Sequence, residues 1–175
     1  MPVDLTEDEL REGLTACLAV PRWVEEVVAA GPYSSLDQLV TQARSSATPL
    51  APAEIDQALA DHPRIGERAA GQGQAQSFSH AEQASSTSDD EQLAAALAEG
   101  NRAYEEKFGR IFLIRAAGRS RPEILAELRR RLELDPAVEL QQVGAELRDI
   151  ALIRIPQLFS HLDAHSGYDE SEAAR

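Results

Sequence analysis

His62 has the local setting best suited to acid and base chemistry in this chain. It is followed by Pro63 and then by residues 64–78, which contain three glycines and show no helical periodicity. Because proline ends a helix, the pattern predicts a helix C-terminus at His62 and a long loop after it, where an imidazole can face a cleft. Imidazole takes up and releases protons near neutral pH, so His62 is a candidate general acid or base. A histidine that only interacts with the last helical carbonyls is the alternative.

Glu82 follows Ser79 at the spacing of a capping box, in which two side chains satisfy the first backbone N–H groups of a helix. The pattern alone therefore gives Glu82 a structural role. A carboxylate at a helix N-terminus is also stabilised in its charged form, which suits an acceptor for a substrate hydroxyl or amide. Both interpretations are open from the residues alone.

Arg154 lies on an apolar helical face, because it shares spacings of three and four with Leu147, Ile150 and Leu158. Its guanidinium is therefore predicted to point into the protein. An unpaired buried charge is very costly, so Arg154 must meet either an internal acid or an anionic ligand, for which its planar fork is well shaped. The spacing does not decide between an internal ion pair and a ligand site.

Metal and cofactor chemistry have little support in the sequence. His161 and His165 share a helical face and could bind a metal ion, but no third or fourth ligand is evident nearby. The single cysteine, Cys17, lies in an apolar helical stripe and is predicted to be part of the core. No glycine-rich phosphate loop, nucleophile elbow or cofactor fingerprint is present. We therefore predict neither a metal nor a cofactor.

Helices are the elements that must position these side chains. Serine or threonine followed three residues later by Glu or Gln predicts helix starts at Thr6, Ser35, Ser79, Ser88 and Ser120. Prolines suited to a first helical turn predict further starts at Pro21, Pro52 and Pro136. Residues 111–114 form an apolar run too short for a helix, which predicts one buried extended segment. We predict an all-α, single-domain irregular bundle of about seven to eight helices over residues 1–166, with residues 167–175 as a flexible tail.

The charge of the chain argues against two classes of partner. Its 175 residues include 30 Asp and Glu against 17 Lys and Arg, which gives a net charge of −13. Such a surface repels phosphate backbones and anionic lipids, so we predict binding to neither nucleic acid nor membrane. The acidic opening MPVDLTEDEL is unlike a secretory leader, and no apolar run is long enough to span a bilayer. We therefore expect a cytoplasmic protein.

Short motifs in a fixed order give the chain a resemblance to a known family. They are HPRIG at 62–66, SHAEQ at 79–83, NRAY at 101–104, KFG at 107–109 and IALIR at 150–154. Each motif alone is weak, but the ordered set closely resembles the OHCU decarboxylase family. OHCU is 2-oxo-4-hydroxy-4-carboxy-5-ureidoimidazoline. The matches extend over nearly the whole chain.

The resemblance implies an all-α enzyme, usually a homodimer, that decarboxylates OHCU to (S)-allantoin in urate breakdown without a cofactor. Carried over position by position, it implies that the catalytic residues are His62 and Glu82. It also implies a set of substrate-binding residues, namely Pro63, Ser79, Gln83, Phe112, Ile114 and Arg154. At Phe112 and Ile114 the expected contacts are made by backbone groups.

A different class of function fits the same residues. In a helical ligand-binding or protein-interaction module without catalytic activity, His62 and Glu82 would only cap helices, and Arg154 would only form a core ion pair. Residue patterns alone do not separate this interpretation from the enzyme. The resemblance favours the enzyme.

Overall fold

The computed structural model describes residues 5–60, 62 and 91–160, and this part of the chain contains seven α-helices and no strand. The helices are α1 (Glu7–Cys17), α2 (Pro21–Ala29), α3 (Leu36–Ser46), α4 (Pro52–Leu59), α5 (Glu91–Phe108), α6 (Arg121–Leu132) and α7 (Pro136–Phe159). The predicted all-α class is confirmed, and the seven helices of the described residues are consistent with the predicted bundle of about seven to eight. Contacts along the chain divide it into two compact units, which are described in turn.

Side-chain caps begin several helices as the sequence predicts. At α1 the Thr6 hydroxyl accepts a hydrogen bond from the Glu9 N–H (3.2 Å), and the Glu9 carboxylate accepts one from the Thr6 N–H (2.9 Å). Ser120 and Glu123 form the same reciprocal pair at α6. At α3 the Ser35 hydroxyl accepts from the N–H of Gln38. These contacts satisfy N–H groups that have no partner inside a helix.

The first unit consists of the described part of Met1–Pro49 and Arg148–Arg175. In it α1 packs against α2, and α2 packs against α3. Trp23 is fully buried, and its indole N–H donates to the Ala43 carbonyl at 2.9 Å, so its polar atom is satisfied within the core. Cys17 is also buried, which confirms its predicted place in the core.

Helix α7 runs through Pro156 and ends at Phe159. Its last turn buries Ile155 and Phe159, whereas Leu158 is only half-buried. Leu158, which shares the predicted inward face with Arg154, is thus less buried than these two residues at this turn. Phe159 takes its place against α1, where the glycine at position 13 leaves room for an aromatic ring.

Gly13 makes this close approach possible and gives a testable prediction. A Cβ atom at position 13 would lie 2.3 Å from Cζ of Phe159, a buried ring that has little room to move. Gly13→Ala should therefore lower the free energy of unfolding by about 1–2 kcal/mol, although alanine favours a helix more than glycine does. Urea unfolding would measure the change. Glu12→Ala, an exposed neighbour on the same helix, should stay within about 0.5 kcal/mol of the wild type. Equal stability of all three proteins would contradict the predicted clash.

The second unit consists of the described part of Leu50–Leu147. Its main core lies where α5 packs against α6, and it encloses the segment that joins them. The buried members of this core are Leu97, Tyr104, Phe108, Phe112, Ile114, Ala116, Ile124, Leu125 and Leu128. Gly109 ends α5 with φ +70°, a left-handed conformation that glycine adopts without strain, and its N–H donates to the Glu105 carbonyl at 2.8 Å. The chain can therefore leave α5 sharply and enter the core as a non-helical segment.

Candidate active site

His62 lies three residues beyond the last residue of α4, in the second unit. Its backbone N–H donates to the Leu59 carbonyl at 3.1 Å, and the residue is half-buried. The prediction of a helix C-terminus at His62 is confirmed to within one turn, since α4 ends at Leu59. This backbone hydrogen bond does not involve the imidazole of His62.

Four residues of the predicted site lie outside the described residues, as do the two histidines considered as metal ligands. These are Pro63, Ser79, Glu82, Gln83, His161 and His165. Their assigned roles stay predictions. In the part of the chain that the structure describes, no group of three or more His, Cys, Asp or Glu side chains is arranged to hold a metal ion. Nor does any helix described there have the length and apolar character needed to cross a membrane.

Arg154 lies on α7 in the first unit and is 2% exposed, which confirms its predicted inward orientation. Its Nη1 donates to the carbonyl of Cys17 at 3.3 Å. Cys17 is the last residue of α1, and the terminal carbonyls of a helix carry partial negative charge. A helix C-terminus is thus one partner of this guanidinium, a kind of partner that the spacing of Arg154 did not indicate.

Phe112 and Ile114 are both buried in the core of the second unit, at 1% and 2% exposed. The Phe112 ring meets the Tyr104 ring edge-on, with centroids 5.3 Å apart. It also lies 4.7 Å from the guanidinium carbon of Arg131. The Phe112 side chain therefore belongs to the core of the second unit. The backbone contacts with substrate expected at Phe112 and Ile114 stay predictions.

A buried charged network, which the residue patterns did not predict, lies beside this segment. Arg131 and Glu139 are both fully buried and form an ion pair in which Nε of Arg131 lies 2.8 Å and 3.1 Å from the two carboxylate oxygens. Nη2 of Arg131 also donates to Glu139. The Tyr104 hydroxyl donates to the same carboxylate at 2.5 Å. Burial raises the pKa of Tyr104, and its hydrogen bond to Glu139 adds to the rise, so the phenol remains a donor.

A signal for Arg131 was present in the sequence. Ile124, Leu128 and Arg131 share spacings of four and three, the same criterion that placed Arg154 on an inward face. Arg131 also ends a run of three arginines, which is typical of a solvated helical face. The pattern of the run therefore does not indicate that Arg131 is buried while Arg129 and Arg130 are exposed.

The first unit contains a separate pocket of about 190 Å³. Its lining is mostly apolar and includes Leu10, Val28, Pro32, Tyr33 and Leu39. Of the residues assigned to substrate binding that the structure describes, Phe112, Ile114 and Arg154, none lines this pocket. Burial raises the pKa of the Tyr33 hydroxyl to about 12, and this hydroxyl donates to the Val27 carbonyl at 2.5 Å. The Tyr33 hydroxyl therefore supports a turn of the fold.

Comparisons with known proteins agree on one family. The family model described as OHCU decarboxylase matches residues 4–156. The "Uric acid degradation bifunctional protein TTL" of Arabidopsis thaliana is 29% identical over 163 residues, which cover 91% of this chain and 49% of that protein. The chain thus spans about half the length of this curated relative.

Solved structures show the same fold. A crystal structure of OHCU decarboxylase in the presence of (S)-allantoin matches with a TM-score of 0.72 and 27% identity, over 85% of this chain and 98% of the other. A crystal structure of (S)-allantoin synthase matches with a TM-score of 0.63 over 88% of this chain and 51% of the other. At 16% identity the second match shows a shared fold only.

Proposed function

Since the chain belongs to the OHCU decarboxylase family, we propose that it is a carboxy-lyase that converts OHCU to (S)-allantoin in urate breakdown. The observation that carries the proposal is the family match over residues 4–156. The similarity to an OHCU decarboxylase crystallised with (S)-allantoin supports it, since the alignment covers nearly all of that protein. The buried, inward-pointing Arg154 supports a site for an anionic ligand.

The chemistry of the substrate explains why no cofactor is proposed. Its carboxylate is bonded to a carbon that also bears a hydroxyl and adjoins a conjugated ring. When CO2 leaves, the ring can delocalise the remaining electron pair, so an additional electron sink is unnecessary. The task of the protein is then to orient the breaking bond across the conjugated system and to control two protons.

Arg154 is proposed to anchor an anionic or carbonyl edge of the substrate. Its planar fork forms paired hydrogen bonds, and in a buried position such bonds are stronger than in water. Ser79 and Glu82 are proposed to hold the hydroxyl and ureido groups. Pro63 and Gln83 are proposed to line the same pocket, and the backbone groups at Phe112 and Ile114 are proposed to contact the ring.

His62 is proposed to assist removal of the hydroxyl proton and then to deliver a proton to one face of the carbanion. Delivery to a single face sets the (S) configuration of the product. Glu82 is the second candidate for one of these transfers, since both side chains are assigned as catalytic. The half-buried position of His62 just beyond α4 suits a group that must exchange protons with a ligand.

The wider setting belongs to the same proposal. We propose a homodimer that acts in the cytoplasm without metal or cofactor. The family resemblance supports the dimer, and the net charge of −13 supports the absence of nucleic-acid and membrane partners. Size-exclusion chromatography with light scattering would measure the oligomeric state directly.

A coupled assay tests the proposed function. OHCU is generated fresh from urate with urate oxidase and hydroxyisourate hydrolase, the protein is added after EDTA treatment, and absorbance and circular dichroism are followed together. Faster decay of OHCU with a lasting (S)-allantoin signal is the expected result. Decay at the spontaneous rate to racemic product, with protein shown to be folded, would overturn the proposal and favour a binding module without catalytic activity.

A further inference from the structure

The segment between α5 and α6 is buried backbone that belongs to neither helix nor strand. Residues 112–114 are all less than 5% exposed. Buried N–H and C=O groups need hydrogen-bond partners, and a non-helical segment cannot supply them internally. The partners of this segment therefore determine its position and orientation.

One edge of the segment is held by charged side chains. Nη1 of Arg131 donates to the Leu113 carbonyl at 2.5 Å, and the Arg115 N–H donates to Oε2 of Glu146 at 2.8 Å. The two anchored groups belong to residues two apart. In an extended chain, the polar groups of residues two apart face the same edge. Arg131 and Glu146 thus each hold one backbone group of this segment.

In an extended chain, the backbone groups of Phe112 and Ile114 point to the edge opposite to that of Leu113 and Arg115. Among the residues that the structure describes, the N–H and C=O groups of these two residues form no hydrogen bond. An extended chain with one edge unpaired presents a row of donors and acceptors. The ring amide and ureido groups of the proposed substrate offer complementary donors and acceptors.

Arg131 is held rigidly enough to define the position of this edge. Its fork is paired with Glu139, which also accepts from Tyr104, and its face packs on the Phe112 ring. All three polar side chains are fully buried. A planar guanidinium can bond a carboxylate with one side and a carbonyl with the other, whereas an ammonium group lacks this fixed geometry.

We propose that Arg131 is a positioning residue for the decarboxylation, because it fixes the segment whose Phe112 and Ile114 backbone groups bind the substrate. This inference rests on the proposed function. Arg131 acts through the Leu113 carbonyl and does not contact the substrate. Glu146 supports the same edge through the Arg115 N–H.

The first test compares Arg131→Lys with the wild type below the unfolding temperature of both proteins. Lysine keeps the positive charge beside Glu139 but lacks the planar guanidinium that bonds both Glu139 and the Leu113 carbonyl. KM should therefore rise about tenfold, as expected when one or two hydrogen bonds to the substrate are lost. The change in kcat should be smaller. Trp23→Phe, a buried substitution on α2, serves as the control that lowers the melting temperature and leaves KM unchanged.

The second test measures backbone hydrogen exchange with (S)-allantoin as the probe. In the wild type, saturating (S)-allantoin should slow exchange of the Phe112 and Ile114 amides, and in Arg131→Lys this protection should be lost. If Arg131→Lys does not fold, Glu146→Leu replaces it, with Glu146→Gln as the conservative variant whose amide oxygen can still accept from Arg115 and restore KM.

The outcomes separate this inference from the proposed function. A wild-type protein without decarboxylase activity would overturn the proposed function and this inference with it. An active wild type whose Arg131→Lys and Glu146→Leu variants keep a native KM and native protection by (S)-allantoin would overturn only the positioning role. A lower melting temperature with an unchanged KM would reduce Arg131 to a structural residue.

Discussion

Replacing His62 with alanine is expected to reduce kcat by about 10²–10⁴-fold, the range that a positioned general acid or base contributes. The fold should survive, because the backbone hydrogen bond from the N–H of residue 62 to the Leu59 carbonyl does not involve the imidazole and is retained by alanine. The coupled assay measures turnover, and circular dichroism with thermal unfolding measures the fold. Gln57→Ala, an exposed substitution on the preceding helix, is the matched control and should keep native turnover.

A second substitution separates catalysis from helix capping at the same position. Asparagine can hydrogen-bond a helix C-terminus but cannot transfer protons near neutral pH. If His62 is catalytic, His62→Asn should be as inactive as His62→Ala. If His62 only caps α4, His62→Asn should retain activity. Near-native turnover of His62→Ala would remove this residue from the mechanism.

The helices were predictable because their starting signals are local. The capping boxes of Thr6 with Glu9 and of Ser120 with Glu123 each lie within four consecutive residues. The interaction that starts the helix can therefore be recognised directly in the sequence. Proline in the first turn acts through its own fixed φ, which is equally local. Helix ends can be predicted in the same way, because α4 ends at Leu59, within one turn of the proline at position 63 that predicts its end.

The buried charges were only partly predictable because their partners are distant in sequence. Periodicity placed Arg154 inside the protein, but its contact with the Cys17 carbonyl spans 137 positions. Tyr104 and Glu139 are 35 positions apart, and no spacing rule connects them. Periodicity reports which face a side chain occupies, whereas its partner depends on how the helices pack. For the same reason, the sequence could assign backbone contacts at Phe112 only by resemblance.

Breaking the Arg131–Glu139 pair from one side is expected to destabilise the protein by about 3–5 kcal/mol. In Glu139→Gln the amide oxygen can still accept from Tyr104, but the Arg131 charge is left buried without a counter-charge. The loss of stability comes from an uncompensated ion in the core. It exceeds the net contribution of the intact ion pair to the free energy of unfolding. Urea unfolding would measure it. Glu25→Ala removes the acid of the exposed Arg11–Glu25 pair and should hardly move the unfolding midpoint.

The double variant Arg131→Met with Glu139→Gln tests whether the uncompensated charge of Arg131 causes the loss of stability in Glu139→Gln. Removing both ions takes away the uncompensated charge, so the double variant should be more stable than the sum of the two single losses predicts. A coupling energy of about 1–3 kcal/mol in this cycle is expected for residues in direct contact. Additive losses would instead indicate that each side chain contributes through packing alone. The double variant should still show a raised KM for OHCU, because methionine cannot donate to the Leu113 carbonyl even where stability is recovered.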